Sequence, residues 1–169
     1  MVKPLRLQLF NVFKSLPVAK ELHQAEALPI EASAHPRDTV TLGWEDRLKG
    51  RARRRSDLGF EFATTLARGT ILRQGDCFIF DVPPLIVGVI ERAEPVFVIR
   101  PGTHREWALF AYHIGNSHQP VMIADDAIVC ADAPGMEQVL TYHGIPFVRQ
   151  VRPFTPVGQI PEHQHQLSR

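Results

Sequence analysis

PVFVIRPGTHREWALFAYHIGNSHQPVMIADDAIVCADAPGMEQVLTYHGIPFVRQV, residues 95–151, is the stretch that decides the fold. Val96-Phe97-Val98-Ile99 is a continuous apolar run of the kind a central strand carries. Thr103 is followed three residues later by Glu106, a capping box that predicts the start of a helix. Trp107, Phe110, Ala111 and Ile114 then fall at i, i+3, i+4 and i+7, one apolar helical face. Gly115-Asn116 is the predicted stop. Val121-Met122-Ile123 and Ile128-Val129-Cys130 read as strands of a hairpin turned at Asp125-Asp126. A second helix is predicted from residues 132–134 onward, with Met136, Val139, Leu140 and His143 as its stripe and Gly144 as its end. Pro146-Phe147-Val148 opens a last strand. The order is β-α-β-β-α-β, which predicts a ferredoxin-like unit.

Upstream, the pattern changes to short strands. Thr39-Val40-Thr41-Leu42 is β-branched and apolar. Asp57-Leu58-Gly59 predicts a turn between residues 49–56 and 60–66. Arg68-Gly69 and Gln74-Gly75-Asp76 are further turn signals, and Cys77–Phe80 and Leu85–Ile90 are short apolar strands. Residues 1–38 are poorly patterned, and Leu5 to Phe13 is read as an edge strand. Pro153, Pro156 and Pro161 lie in a mostly polar C-terminal stretch, which predicts a mobile tail. The expected class is therefore α+β. A β-rich domain spans residues 1–93, a ferredoxin-like domain 94–153, and a flexible histidine-containing tail 154–169.

The 169 residues are 44% apolar and 22% charged, a globular composition. A formal net charge of +1 gives no strong pull toward nucleic acid or acidic membranes. Arg51-Ala52-Arg53-Arg54-Arg55 is basic, but its alternation reads as a solvated strand face. Phe97 is the only aromatic in the two strands that would form an RNA-stacking platform, which argues against RNA. The run Val82 to Ile90 is too short to span a bilayer. No secretory leader is recognised, and the two cysteines, Cys77 and Cys130, form neither a C-x-x-C pair nor a disulfide framework. A reducing, cytoplasmic setting is expected.

Catalytic signatures are missing: there is no phosphate-binding G-x-x-x-x-G-K-[ST], no G-x-S-x-G and no H-E-x-x-H. The informative residues are histidines. Neutral imidazole is a good ligand for nickel, zinc and copper. His113 and His118 are five residues apart, so on a continuous helix their side chains point about 140° apart. They do not make a simple helical clamp. His118 lies just past the predicted helix end, free to face outward, and is either a ligand or an ordinary surface histidine. His113 borders the apolar stripe and reads first as a structural histidine held by a local hydrogen bond, and second as a further metal ligand. His163 and His165 alternate in the tail and fall on one side if the segment extends. His143 sits near a helix C-terminus, where a structural role is expected. One protomer offers no closed site, but a two-fold axis beside His118 would supply it twice. Leu109 and Tyr112, opposite the core stripe, are candidates for burial in such an interface.

The residues also resemble a known family. Thr41-Leu42-Gly43-Trp44-Glu45-Asp46-Arg47-Leu48-Lys49 resembles the W-[ED]-[ED]-R-x-[KR] stretch of UreE urease accessory proteins. Leu66-Ala67-Arg68-Gly69-Thr70-Ile71-Leu72-Arg73-Gln74-Gly75-Asp76 is similar to their L-x-R-G-T-x-L-x-x-G-D stretch, and Tyr112-His113-Ile114-Gly115-Asn116-Ser117-His118 to their Y-H-[IL]-G-N-x-H signature. The resemblance implies a peptide-binding-like β domain, a ferredoxin-like metal-binding domain and a homodimer formed through the latter. It implies Ni(II) held by His118 from both subunits, with His163 and His165 completing the site. It implies delivery of nickel to apo-urease together with the urease accessory GTPase. Many members carry histidines after the third strand of the second domain; here that region reads Cys130-Ala131-Asp132-Ala133-Pro134, leaving only Cys130 or Asp132 as weak substitutes.

The function expected is thus a nickel metallochaperone that is not itself an enzyme. Zinc or copper would compete, because intrinsic affinity does not favour nickel over copper. The alternatives are an assembly factor in which metal is incidental, and a metal-dependent hydrolase, which would require a carboxylate base beside an open site.

Overall fold

A computed structural model describes residues 16–124 and 126–157. The expected edge strand at Leu5 to Phe13, Asp125 of the hairpin turn, and the tail histidines His163 and His165 lie outside the described residues.

The first unit is built from short strands: β1 (Val18–Ala19), β2 (His23–Gln24), β3 (Arg37–Leu42), β4 (Arg51–Arg55), β5 (Glu61–Thr65), β6 (Asp76–Asp81) and β7 (Pro84–Glu91). One short helix, α1 (Trp44–Arg47), follows β3. The strands form two sheets, ordered β1-β5-β4 and β2-β6-β7-β3. The β4–β5 and β6–β7 pairings are hairpins, whereas β1 lies parallel to β5 and β3 parallel to β7, with Val40 opposite Val89. Phe62, Phe78, Leu72 and Val87 are fully buried between the sheets. The β4–β5 turn needs the positive φ of Gly59 (99°), a conformation glycine adopts without steric cost. It is tied to β3 by Asp57, whose carboxylate accepts hydrogen bonds from the Thr39 and Thr41 hydroxyls.

Arginine alternation on β4 is real, but one member does not face water. Arg51, Arg53 and Arg55 are exposed, while Arg54 turns inward and is buried. Its guanidinium donates to the backbone carbonyls of Asp46 and Lys49, at 3.1 and 2.6 Å, and to Thr64 Oγ1. Those carbonyls lie at the end of α1, where helix geometry leaves acceptors unpaired. The expected solvated face is therefore corrected at this position.

The second unit consists of β8 (Ala93–Ile99), α2 (His104–Asn116), β9 (Val121–Ala124), β10 (Ala127–Ala131), α3 (Met136–Tyr142) and β11 (Val148–Pro153). Its sheet order is β11-β8-β10-β9, all antiparallel, the ferredoxin-like arrangement. The Thr103–Glu106 capping box is formed in both directions. Trp107, Phe110 and Ile114 pack against Phe97, Ile99, Ile128, Met136 and Leu140 on one face of the sheet. Ala111, expected on that stripe, is exposed. The second helix starts later than expected, at Met136, because Gly135 takes a left-handed conformation (φ 87°) before it.

The opposite sheet face is covered by the segment that follows β11, with Trp44 of the first unit packed against it. Val96, Val98, Ala127 and Val129 pack against Phe154, with Trp44 beside them. Phe154 is fully buried and meets the Trp44 ring edge-on at 5.7 Å. The C-terminal stretch, expected to be mobile from about residue 152, is thus held in place as far as Val157. There its N–H donates to the carbonyl of Val121. Burial of a large aromatic outweighs the local signal of the prolines.

Candidate metal centre

Helix α2 does not stop at Gly115. It runs through Gly115 to Asn116, with Ser117 as its C-terminal cap, and the Ser117 hydroxyl donates to the Ile114 carbonyl at 2.6 Å. The residue that turns left-handed is His118 itself, with φ 55°, and its N–H donates to the Gly115 carbonyl. Helices are commonly terminated by a left-handed residue, usually glycine. A non-glycine there carries a steric cost of about 1–2 kcal/mol. Here a histidine occupies that place, and its side chain is exposed. Such an outlier suggests a constraint other than stability. Replacing His118 by glycine should therefore raise the unfolding free energy by about 1 kcal/mol over the His118→Ala variant, which keeps the backbone penalty. Chemical denaturation of the metal-free proteins measures the difference.

His113 belongs to a different contact. Its ring stacks on that of His143, the C-terminal cap of α3, with centroids 3.8 Å apart and planes 19° from parallel. The local hydrogen bond expected for His113 is replaced by this stacking, which links α2 to α3. Face-to-face imidazoles do not aim their nitrogen lone pairs at a common point. His143 has the structural role its position suggested, with Tyr142 edge-on to its ring at 4.9 Å.

The substitutes considered after the third strand are poor ligands. Cys130 is fully buried, and burial pushes its thiol up to about 12, so the thiolate that binds metal is suppressed. Asp132 is engaged by Arg149, which also pairs with Glu137. Cys77 in the first unit is buried too, its pKa raised first by desolvation and then by Asp76. Among the described residues, no three His, Cys, Asp or Glu side chains are grouped so as to hold a metal.

The elements around His118 are arranged in a short path. Gln119-Pro120 leads from it into β9, whose first residue, Val121, pairs with Cys130 on one side and Val157 on the other. Val157 is the last described residue, so the chain leaves the described structure beside the strand that follows His118. His163 is six positions beyond Val157 in the sequence, a contour length of about 20 Å at most. Leu109 and Tyr112 on α2 are 42% and 62% exposed, leaving apolar surface on the outer face of the helix that carries His118.

An all-β unit joined to a ferredoxin-like unit, with an exposed histidine closing its first helix, defines a two-unit α+β protein. The first unit matches the family model described as UreE urease accessory protein, N-terminal domain, over residues 18–90, and the second matches the corresponding C-terminal domain over residues 94–169. The chain belongs to the UreE urease accessory protein family. It is similar to proteins named urease accessory protein UreE from Burkholderia ambifaria (34% identity), Burkholderia thailandensis (35%) and Paraburkholderia xenovorans (36%). Each alignment covers 118 residues, 70% of this chain and 58%, 55% and 52% of the respective relative. The chain thus spans little more than half the length of the curated relatives it matches. Among the described residues, no helix is long and apolar enough to cross a membrane.

Proposed function

We propose that this chain serves urease maturation as a cytoplasmic, non-enzymatic carrier of Ni(II). It works as a homodimer and hands its cargo to apo-urease in company with the urease accessory GTPase. The observation that carries this reading is His118: an exposed imidazole on a left-handed residue at the end of α2. Family membership and the apolar surface left by Leu109 and Tyr112 on the same helix support it.

In the proposed mechanism, two His118 imidazoles, one from each protomer, hold nickel at the two-fold axis. His163 and His165 from the tails fill further positions and leave one at a time during transfer. Zn(II) and Cu(II) compete for the same nitrogens. Ligation requires neutral imidazole, so affinity falls as pH is lowered.

Native mass spectrometry of the chain titrated with nickel, beside the His118→Ala variant, tests the reading. The expected result is a dimer that takes up one nickel, with uptake abolished by the substitution. A monomer, or a dimer whose nickel survives His118→Ala, overturns it in favour of an assembly factor in which metal is incidental.

A further inference from the structure

Strand β4 is the outer strand of its sheet, in the order β1-β5-β4, so one of its backbone edges has no neighbour in that sheet. The hydrogen bonds at its two ends fix which residues hold that edge. The Ser56 N–H donates to the Phe60 carbonyl, and the Gly50 carbonyl accepts from the Leu66 N–H. In an antiparallel pair such bonded positions alternate with unbonded ones. Residues 52 and 54 therefore face β5, while Arg51, Arg53 and Arg55 direct their N–H and C=O groups outward. Asp57 is next in the same outward series, and its N–H donates to the Thr39 carbonyl of β3 at 2.7 Å. From Arg51 to Arg55 the edge is open: among the described residues no hydrogen bond reaches those outward backbone groups.

The same three residues expose their side chains. Side chains two positions apart on a strand share a face and stand about 7 Å apart, so the open edge carries a row of guanidiniums. Among the described residues none of the three forms an ion pair. The nearest acids in sequence are engaged elsewhere or lie to one side. Asp57 accepts from the Thr39 and Thr41 hydroxyls, Asp46 pairs with Lys49, and Glu61 is on β5 opposite Arg55. A further guanidinium, Arg68, joins Arg51 in lining a depression of about 460 Å³ beside Gly50. Residues 1–15 carry Lys3, Arg6 and Lys14 and no acidic residue, so they bring no compensating charge.

Charged side chains on an edge discourage unspecific pairing. Three like charges in line go further: they repel a second copy of the same edge and favour an acidic strand. Carboxylates at alternate positions of an extended segment repeat at the same spacing of about 7 Å, and each arginine can hold one through two parallel hydrogen bonds. The backbone groups choose between acidic partners. They offer donors and acceptors in alternation, which an added peptide strand satisfies in full. The phosphates of a single-stranded nucleic acid supply acceptors only and leave the three carbonyls without donors.

We propose that the open edge of β4 docks an extended acidic segment of a partner protein, which adds to the sheet as a further strand and sets carboxylates at alternate positions against Arg51, Arg53 and Arg55. The inference does not depend on the nickel-site reading, and it gives the first unit an interaction surface of defined chemistry.

Fluorescence anisotropy of labelled peptides, titrated with the full chain, tests it. The probe is a capped peptide in which glutamate alternates with threonine and valine. One comparison peptide has the same residues with its glutamates contiguous. Two others keep the order but carry N-methyl groups, on the glutamate amides in one and on the intervening amides in the other. The alternating peptide is expected to bind about tenfold more tightly than the contiguous one. One N-methylated form should lose binding and the other keep it, because only alternate amides of an added strand face β4. Arg53→Glu should weaken the alternating peptide by about tenfold or more, since it replaces an attraction by a repulsion. Arg100→Glu, the same change of net charge in the second unit, should leave the affinity as it is. The peptide comparisons use the unaltered chain, so they give the result even if Arg53→Glu does not fold. No binding of the alternating peptide, equal binding of all four peptides, or equal losses in the two charge variants overturns the proposal. Tighter binding of a thymidine oligonucleotide of matched charge also overturns it and assigns the edge to nucleic acid.

Discussion

Replacing Arg47 by methionine is expected to lower the unfolding free energy by about 3–5 kcal/mol, the range found when one partner of a buried, hydrogen-bonded charge is removed. The reason is the groups left behind. Glu91 loses its ion-pair partner while its side chain remains only 14% exposed. The buried carbonyls of Leu72 and Phe154 lose their donor, as does the half-buried Thr155 hydroxyl. Each unsatisfied group carries a desolvation cost of about 1–3 kcal/mol. Burial lowers the Arg47 pKa, with Glu91 and then Glu94 opposing that effect, so the charge depends on these acids for its place in the interior. The two tryptophans provide the measurement, because Trp44 lies at the junction and Trp107 is on α2, packed against the core of the second unit. Denaturant titration followed by fluorescence, with Trp44→Phe and Trp107→Phe as single-reporter backgrounds, should show one common midpoint for the chain with Arg47. With methionine the midpoint should drop sharply, and the two reporters should separate as the units lose their shared contacts. An unchanged midpoint would mean that the buried guanidinium contributes nothing net.

Phe154→Ala is expected to cost a comparable amount, about 3–5 kcal/mol, for a different reason. No charge is stranded; a cavity opens. Phe154 is fully buried against Val96, Val98, Ala127 and Val129, and the other wall of its niche is the edge of Trp44. The sheet backbone on one side is held by β8–β10 and β8–β11 pairing, so it cannot collapse into the space. Trp44 is the most adjustable wall, and its movement sets how much of the cost is recovered. Leucine should restore most of the loss, which methionine at position 47 cannot do. Because Arg47 donates to the Phe154 carbonyl, the two substitutions touch one junction, and their effects in combination should fall short of additive. Guanidinium titrations of Phe154→Ala, Phe154→Leu and the double variant measure all three statements.

Local chemistry was legible from the chain. The capping box at Thr103–Glu106, the helical spacing of Trp107, Phe110 and Ile114, the hairpin around Asp126 and the turn at Gly59 each depend on residues a few positions apart. Their order was enough for the ferredoxin-like topology, because the hydrophobic period and turn signals of each segment agree with the final sheet order. The placement of His118 at a helix end was legible too. That His118 rather than Gly115 takes the left-handed conformation was not, since glycine is the residue that favours it.

What only the tertiary structure decided is long-range. Arg54 points inward because the carbonyls at the end of α1 stand beside β4. His113 stacks on His143 because α2 and α3 share one sheet face. Arg47 meets Phe154 across 107 residues of chain, a contact that no local pattern encodes. Periodicity reports which side of an element is apolar. It carries no information about which distant polar groups will need a partner once the units close on each other, and that need, created by burial, is what selected Arg47 and Arg54 for the interior.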